Sequence, residues 1–278
     1  MKNQNGKVWF ITGTSKGMGL ELTKLLLSNG NKVAATSRDA QNIKNEIGKN
    51  PNLLALTVDI TSDASVKKAI KETVDTFGRI DIVVNNAGYW IVGSMEETTN
   101  QEFRASLDVN LLGTVNVIRA TLPYLRKQKS GHIINISSVA GYAGFASSGS
   151  YTASKFAVIG LSESLAEEVD AFNIKITVVA PGVFRTNFLN QGSLQTANNL
   201  IEEYGTKQKL ETWEQYNGNQ PGDPSKLVQI LIDIIELEKP PLHLLLGTDA
   251  YQLVTEKRKS EHEEFEEWKH LTLSTNFD

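Results

Sequence analysis

The first apolar run of the chain ends in the stretch Thr12-Gly13-Thr14-Ser15-Lys16-Gly17-Met18-Gly19, which decides the fold. Residues 8–12 are apolar or β-branched, as in a buried strand, and residues 17–29 carry apolar side chains at a helical spacing. Glycines between a strand and a helix permit a tight turn and let a phosphate approach backbone N–H groups at the helix N-terminus. The stretch therefore predicts a phosphate-binding turn, although its spacing is Gly-x-x-x-Gly-x-Gly rather than the commoner Gly-x-Gly-x-x-Gly.

Short apolar runs and helical patterns alternate along most of the remaining chain. Further strands are predicted over residues 32–36, 52–58, 81–84, 132–136, 174–179 and 242–246. Further helices are predicted over residues 63–77, 100–125, 153–171, 224–237 and 249–269. Strands separated by helices imply βαβ units and a parallel sheet that is covered on both faces. We expect one α/β domain over residues 1–278, with a doubly wound parallel sheet of about seven strands.

Two segments depart from this alternation. Residues 183–222, approximately, are rich in Asn, Gln, Gly and Thr, with a few scattered aromatic residues. A stretch of this length with a weak pattern predicts a substrate lid rather than a second core. Residues from about 249 to 278 are highly charged and predict a C-terminal helical extension.

Composition excludes several classes of protein and site. The 278 residues include 28 basic and 32 acidic side chains, a net charge of −4 that gives no reason to expect a nucleic-acid partner. The chain has no cysteine, so disulfides, thiolate catalysis and Cys-ligated zinc are impossible. Its four histidines form no His-Glu-x-x-His motif, and no metal is expected. No apolar stretch approaches the ~20 residues of a membrane span or forms a signal-peptide core. We therefore expect a cytoplasmic protein without a membrane partner.

The second predicted strand ends at Ser37-Arg38-Asp39, and the residues at this position determine whether NAD or NADP binds. An acidic residue about 20 positions after the glycines would hold the ribose 2′-OH of NAD, whereas an arginine there accommodates the 2′-phosphate of NADP. Asp39 lies one step further and is better placed to cap the next helix. Lys16 adds a second cation on the same side. The pattern favours NADP(H) and leaves NAD as the alternative.

A tyrosine and a lysine, Tyr151 and Lys155, lie one helical turn apart at the start of a predicted helix. An adjacent ammonium would lower the pKa of the phenol from about 10, which would make it a usable general acid for a carbonyl oxygen. Ser138 follows the strand at 132–136, and ligands of parallel sheets bind at the carboxyl ends of strands. Asn110 falls in the middle of a predicted helix, where asparagine is mildly disfavoured, so its presence there suggests a specific role.

Taken together, these elements resemble the short-chain dehydrogenase/reductase family, in its shorter, reductase-like branch. They occur in the order and spacing of that family between about residues 6 and 250: Thr12-Gly13-x-x-x-Gly17-x-Gly19, Asp59, Asn85-Asn86-Ala87-Gly88, Asn110, Ser138, Tyr151-x-x-x-Lys155 and Pro181-Gly182. The resemblance implies a Rossmann fold and a nicotinamide cofactor.

The resemblance also implies four catalytic residues. Tyr151 would donate and accept the proton, and Lys155 would hold the nicotinamide ribose and lower the pKa of Tyr151. Ser138 would hydrogen-bond the substrate carbonyl. Asn110 would hold a water molecule in a proton relay. All four positions match the family pattern.

The cofactor residues follow from the glycine turn and from the same resemblance. Asp59 would meet the adenine, and Ser37 with Arg38 looks like the NADP-preferring pattern of the family. The predicted NADP(H)-binding residues are Gly13, Ser15, Lys16, Gly17, Met18, Gly19, Ser37, Arg38, Asp59, Ile60, Asn86, Ala87, Gly88, Tyr151, Lys155, Pro181, Gly182, Val183 and Thr186.

These inferences predict an NADPH-dependent carbonyl reductase that also oxidises the alcohol in reverse. A hydrophobic ketone is expected, because six aromatic residues follow the predicted strands or lie in the lid: Trp90, Phe145, Phe184, Phe188, Trp213 and Tyr216. The alternatives are a non-catalytic NADP(H)-binding redox sensor and an NAD-dependent dehydrogenase. The resemblance further implies a homodimer or homotetramer, formed through the helices at 100–125 and 153–171.

Overall fold

A computed structural model describes residues 6–190 and 192–277. The ends of the predicted domain, residues 1–5 and 278, and residue 191 of the predicted lid lie outside the described residues. The strands are β1 Val8–Thr12, β2 Lys32–Ser37, β3 Leu53–Thr57, β4 Ile82–Asn85, β5 Trp90–Val92, β6 Gly131–Ile136, β7 Ile174–Pro181, β8 Leu194–Thr196 and β9 His243–Leu246. The α-helices are α1 Gly17–Ser28, α2 Ala40–Ile47, α3 Asp63–Phe77, α4 Asn100–Leu107, α5 Gly113–Gln128, α6 Gly149–Val169, α7 Thr206–Tyr216, α8 Pro224–Asp233, α9 Thr248–Glu267 and α10 Lys269–Leu273.

Seven of these strands form one parallel sheet in the order β3-β2-β1-β4-β6-β7-β9. Side chains alternate across the sheet, as the two-residue period of a strand requires. Trp9 and Ile11 of β1 pack on one face with α1 and α8, while Phe10 packs on the other face with α3 and α5. The sheet is therefore buried on both faces, which explains its nearly continuous apolar strands and confirms the predicted α/β fold.

The predicted helical stretch over residues 100–125 is confirmed, but it contains a π-helical turn that the sequence did not predict. The structure has α4, a π-helical turn at Asp108–Leu112, and then α5. Asn110 lies inside this π-turn with a 1% exposed side chain. Its Oδ1 accepts a hydrogen bond from the backbone N–H of Tyr89 (2.9 Å), and its Nδ2 donates to the Tyr89 carbonyl (2.9 Å). The polar residue in the middle of the helix thus anchors the chain that follows β4.

The 183–222 segment contains more regular structure than its sequence predicts. Its strand β8 pairs in parallel with β5, which the sequence analysis missed, and helix α7 follows. The loop before α4 also holds this segment through hydrogen bonds. The buried carboxylate of Glu97 accepts from the Ile201 backbone (2.9 Å) and the Thr206 hydroxyl (2.7 Å), and Glu102 accepts from the Asn198 backbone (2.9 Å).

The C-terminal part begins with a buried turn and ends with an exposed helix. Ala250 and Val254 of α9 are buried, whereas its later residues are exposed and charged. No helix within residues 6–190 and 192–277 combines the length and apolar character needed to cross a membrane.

Candidate active site

A cavity of about 780 Å³ lies at the carboxyl ends of the strands in the large sheet. It contains nearly all of the predicted site residues, which come from the ends of β1, β2, β3, β4, β6 and β7 and from the 183–222 segment. The predicted residues that line it are Gly13, Ser15, Lys16, Gly17, Met18, Ser37, Arg38, Asp59, Ile60, Asn86, Ala87, Gly88, Trp90, Ser138, Phe145, Tyr151, Lys155, Pro181, Gly182, Val183, Phe184, Thr186, Phe188 and Trp213.

Three predicted residues lie behind the wall of the cavity. Gly19 faces the backbone of Gly13 and the side chain of Asn86, and a Cβ there would collide with both. Asn110 supports Tyr89 from below and lies against Gly88. Tyr216 packs on the outer side of Trp213, with ring centroids 6.0 Å apart. These residues shape the cavity without forming its surface.

The glycine turn after β1 has the geometry of a close-approach turn. Gly13 has φ +72°, and a Cβ at this position would lie 2.8 Å from Cα of Ala87, closer than real Cβ contacts allow. Asn86 closes the turn by donating from Nδ2 to the carbonyls of Thr12 (2.9 Å) and Gly13 (3.0 Å). The turn leads into α1, whose N-terminus suits an anion, so these residues fit the pyrophosphate of a dinucleotide.

Two cations line the cavity beside this turn. Burial and the nearby Arg38 guanidinium lower the pKa of Lys16, so the two positive groups are close enough to repel each other. Asp39 instead caps α2, since its Oδ1 accepts from the backbone N–H of Gln41 (2.8 Å). Ser37 hydrogen-bonds the Asp39 backbone. At the end of β2, the positive Arg38 therefore lines the cavity, whereas the carboxylate of Asp39 is bound to the N-terminus of α2.

Asp59 and Ile60 form the wall beyond β3. Asp59 Oδ1 accepts hydrogen bonds from the Thr61 backbone (2.9 Å) and hydroxyl (2.7 Å). Asn116 of α5 donates to the Ile60 carbonyl (3.0 Å), which ties this wall to the helix behind it. The arrangement leaves an exposed carboxylate at the end of the cavity nearest to β3.

Tyr151 and Lys155 project from the first turns of α6 into the cavity, as their spacing predicts. Both side chains are buried, and Lys155 Nζ lies 5.6 Å from the centroid of the Tyr151 ring. Lys155 Nζ donates to the Ile136 carbonyl at the end of β6 (2.8 Å). The Ser138 hydroxyl is close enough to Tyr151 to lower the pKa of the phenol, so three of the four predicted catalytic residues form one cluster.

The predicted acidification of the phenol is wrong for this structure. Burial raises the pKa of Tyr151 to about 12, and the hydrogen bond from Ser138 only partly opposes this effect. Burial also lowers the pKa of Lys155 to about 8. Burial disfavours the charged form of each group and sets the direction of both pKa shifts, and the attraction that the spacing suggested does not reverse either one. At neutral pH, the phenol holds its proton and the lysine remains mostly charged.

The two neighbouring serines after β6 have different partners. The Ser137 hydroxyl donates to the Lys155 backbone carbonyl (2.9 Å) and is buried against α6. The Ser138 oxygen accepts from the backbone N–H of Ala140 (3.1 Å) and faces Tyr151. Thus Ser138 has the position expected of the predicted hydroxyl donor, and Ser137 stabilises the helix that carries Tyr151 and Lys155.

Aromatic rings surround the Tyr151 hydroxyl. Trp90 lies 6.0 Å and Phe188 lies 6.1 Å from the Tyr151 ring, measured between centroids. Trp213 contacts the far side of Trp90 edge-on, at 5.4 Å, and the Trp90 indole donates from Nε1 to the Ser148 hydroxyl (3.1 Å). The β5–β8 pairing and α7 bring Trp90 and Trp213 together although they are more than 100 residues apart in the chain.

The remaining two aromatic residues contribute less to this wall. Phe145 is 40% exposed at the mouth of the cavity. Phe184 packs mainly against the apolar core on the α1 and α8 face and against Gly222, where a Cβ would lie 2.6 Å from its ring. We conclude that Phe184 is largely a core residue, while Trp90, Phe188 and Trp213 form the apolar wall.

Sequence reasoning missed two charged residues in the cavity wall. Asp249 in the first turn of α9 accepts a hydrogen bond from the Val183 backbone (2.7 Å). Lys209 of α7 donates to the Ser147 hydroxyl (3.0 Å). Neither belongs to a local motif, and the only available signal was the position of Asp249 directly after the last strand. Both residues reach the cavity through contacts between distant parts of the chain.

Comparison with known proteins agrees with this arrangement. A family model described as short chain dehydrogenase matches residues 7–196. Oxidoreductase BOA17 of Botryotinia fuckeliana is 37% identical over 274 residues, which cover 97% of this chain and 99% of that protein. The 3-ketodihydrosphingosine reductase of Bacteroides thetaiotaomicron is 36% identical over 258 residues, covering 91% and 92%.

Solved structures extend the likeness to three dimensions. A short-chain dehydrogenase from Streptomyces avermitilis superposes with a TM-score of 0.88 at 34% identity, covering 97% of this chain and all of that one. ElxO, solved with NADP bound, superposes with a TM-score of 0.71 at 27% identity, covering 86% and 96%. Since the sequence match spans most of the chain and the fold agrees throughout, this protein belongs to the short-chain dehydrogenase family of oxidoreductases.

Proposed function

We propose that the protein is an NADPH-dependent carbonyl reductase that acts on a hydrophobic ketone and oxidises the corresponding alcohol in reverse. The observation that carries this proposal is the cluster of Tyr151, Ser138 and Lys155 in the same cavity as the glycine turn. A protonated phenol beside a second hydroxyl is a suitable pair of donors for a carbonyl oxygen that gains negative charge.

Each residue of the cluster has a separate role in this mechanism. The bound cofactor would supply the hydride that reduces the carbonyl carbon. Ser138 donates a hydrogen bond to the carbonyl oxygen, and Tyr151 transfers its proton to that oxygen as the alcohol forms. Lys155, fixed by the Ile136 carbonyl, holds positive charge next to the resulting phenolate until solvent returns a proton. In the oxidation direction, Tyr151 accepts the proton of the alcohol.

The preference for NADPH rests on Lys16 and Arg38. Their mutual repulsion would be relieved by an anion between them, and a 2′-phosphate is such an anion. The carboxylate that could compete, Asp39, is engaged at the N-terminus of α2. The related ElxO was solved with NADP, in agreement with this reading. An NAD-dependent dehydrogenase remains the second candidate, favoured only by the presence of Asp39 close to the end of β2.

The substrate class follows from the walls around Tyr151. Trp90, Phe188 and Trp213 offer flat apolar surfaces next to the proton donor, which suit an aryl or long alkyl ketone better than a sugar. One relative is named as a reductase of 3-ketodihydrosphingosine, a ketone with a long apolar chain. We infer a ketone of comparable apolar character.

Replacing the proton donor tests the proposal. We expect Tyr151→Phe to lower the kcat of NADPH-dependent ketone reduction by about 100-fold or more, because it removes the general acid. The variant should still bind NADPH, as measured by fluorescence titration. Tyr142→Phe is the matched control, since that hydroxyl contacts His243 away from the cavity (2.7 Å). Near-normal turnover by Tyr151→Phe would refute the mechanism.

A non-catalytic redox sensor makes the opposite prediction. It would bind NADPH tightly and would consume none of it with any member of a broad ketone panel. The position of Ser138 beside Tyr151 argues against a pure sensor, because cofactor binding alone does not need a buried phenol next to a second hydroxyl.

A further inference from the structure

The distal wall of the cavity carries a cation that the proposed reaction does not use. Lys209 is half-buried on α7, and its Nζ donates to the hydroxyl of Ser147, a neutral partner, at 3.0 Å. Among the residues that the structure describes, no carboxylate lies within ion-pair distance of this ammonium. A partly desolvated charge without an opposite charge is unfavourable, and an anionic ligand group would relieve that cost.

The surroundings of Lys209 separate it from the cofactor end of the cavity. Lys209 and Trp213 lie one turn apart on α7, so both side chains point to the same wall. Trp213 packs on Trp90, and Trp90 packs on Tyr151. The ring contacts thus lead from Tyr151 through Trp90 to Trp213, which lies one helical turn from Lys209. Lys16 and Arg38 instead adjoin the glycine turn.

The other polar groups nearby are neutral. Ser147 and Ser148 are buried beneath this part of the wall, and Ser193 and Gln195 complete it from the β8 side. The two carboxylates of the cavity have partners elsewhere, Asp59 at Thr61 and Asp249 at Val183. Lys209 is therefore a positive charge among apolar and neutral polar groups of this wall.

We propose that the substrate is a ketone whose apolar body separates the carbonyl group from an acidic group, and that Lys209 binds this acidic group. The inference rests on the proposed reductase function and makes its substrate class narrower. The carbonyl lies at Tyr151, the apolar body lies along Trp90 and Trp213, and a carboxylate or similar anion pairs with Lys209. An acid attached directly to the carbonyl carbon, as in a 2-oxo acid, has no apolar body between the two groups to lie along Trp90 and Trp213, and we expect it to be the poorer substrate.

Matched probes that differ only in charge test the proposal. We would measure kcat/KM with NADPH for 3-(4-acetylphenyl)propanoate, for its methyl ester and for phenylglyoxylate, a 2-oxo acid. Wild type should prefer the first acid over its ester by on the order of tenfold, the range of one charge-assisted hydrogen bond. Lys209→Met should abolish this preference mainly through KM. Lys207→Met, an exposed lysine on the same helix, should retain it.

The outcomes separate this inference from the proposed function. Equal use of acid and ester by wild type and Lys209→Met, with both reduced, would overturn the role of Lys209 while leaving the reductase intact. A preference for phenylglyoxylate would also overturn it. If no ketone is reduced, the proposed reductase function fails. The role of Lys209 is then decided by measuring how tightly the acid binds to wild type and to Lys209→Met. Quenching of Trp90 and Trp213 fluorescence in the NADPH complex should report tighter binding of the acid to wild type than to Lys209→Met.

Discussion

The carboxylate of Asp249 accepts a hydrogen bond from the backbone N–H of Val183 at 2.7 Å and lies directly against Gly182. A Cβ on Gly182 would collide with both carboxylate oxygens, so the contact requires glycine at that position. It joins the loop after β7, whose residues are predicted to bind NADP(H), to the first turn of α9. The C-terminal part of the chain thereby helps to shape the cavity.

Removing this contact should weaken cofactor binding. We expect Asp249→Ala to raise the Kd for NADPH several-fold, because the loop after β7 loses its tether. Asp249→Asn keeps an oxygen acceptor for the Val183 N–H and should bind close to wild type. Fluorescence titration of the three proteins measures the effect. Equally tight binding by the alanine and asparagine variants would show that the tether has no role in binding.

The pKa values of Tyr151 and Lys155 set the pH dependence of the two reaction directions. With the Tyr151 pKa raised to about 12, the proton donor for reduction is present at all ordinary pH values. Reduction should therefore be flat below pH 8 and should fall above it, as Lys155 loses its charge near its lowered pKa of about 8. Alcohol oxidation needs an unprotonated Tyr151 and should rise with pH.

Profiles of kcat/KM against pH for wild type and Lys155→Met would check this assignment. The variant should lose the descending limb of the reduction profile along with most of its activity. A wild-type reduction rate that rises through pH 8 would contradict the assignment.

Arg38→Ala should reduce the preference of the enzyme for NADPH over NADH. Removal of one of the two cations proposed to bind the 2′-phosphate should lower kcat/KM for NADPH by about tenfold, the scale of one charge-assisted contact, and leave kcat/KM for NADH nearly unchanged. Lys44→Ala, on the exposed surface of α2, is the control. An equal loss with both cofactors would instead indicate a structural role for Arg38.

Glu97 should stabilise the protein in a pH-dependent way. Hydrogen bonds from Ser94, Ile201 and Thr206 lower its pKa to about 2, although burial alone would raise it. The unfolded carboxyl ionises near pH 4.3, so this stabilisation is complete above that pH and is lost as the pH falls towards 2. Glu97→Ala should reduce the free energy of unfolding at pH 7 by about 2 kcal/mol.

Urea unfolding at pH 7 and at about pH 3.5 measures both parts of this prediction. The difference between Glu97→Ala and wild type should shrink at the lower pH. Glu96→Ala is the control, since that exposed carboxylate contacts only the Tyr204 hydroxyl among the described residues (2.8 Å). A difference that is independent of pH would mean that packing, and not charge, makes Glu97 stabilising.

The predicted homo-oligomer can be tested at α6. Phe156 is 44% exposed on this helix, and Leu112, the last residue of the π-turn before α5, is 46% exposed. If the expected interface covers these helices, Phe156→Glu should shift the molar mass towards the monomer in size-exclusion chromatography with light scattering. A wild-type protein that is already monomeric would refute the expectation.

The spacing of residues in the sequence was enough to predict the catalytic cluster and the sheet, because both depend on the regular geometry of helices and strands. The four-residue spacing of Tyr151 and Lys155 is a helical turn, and Ser138 follows a strand, so both reach the edge where ligands bind. The sheet was predictable because buried parallel strands are continuously apolar. The π-turn at Asn110 was not, because no local pattern marks it and the partner of Asn110 is Tyr89, 21 residues earlier.

Contacts across long sequence separations account for the other misses. Lys209 meets Ser147 and Glu97 meets Thr206 at separations of 62 and 109 residues, which no short window reveals. The pKa of Tyr151 was misjudged for a related reason. Spacing shows that an ammonium is near, whereas the extent of burial around the phenol depends on the whole cavity.

The pairing of β5 with β8 constrains which segments can be exchanged between related enzymes to change their substrate range. The strand that carries Trp90 is hydrogen-bonded to the segment that leads to Trp213, and Glu97 draws its partners from that same segment. A chimera that imports only residues 183–222 would leave a buried carboxylate facing foreign donors. Recombination should succeed when the 90–102 and 183–222 pieces are exchanged as one module.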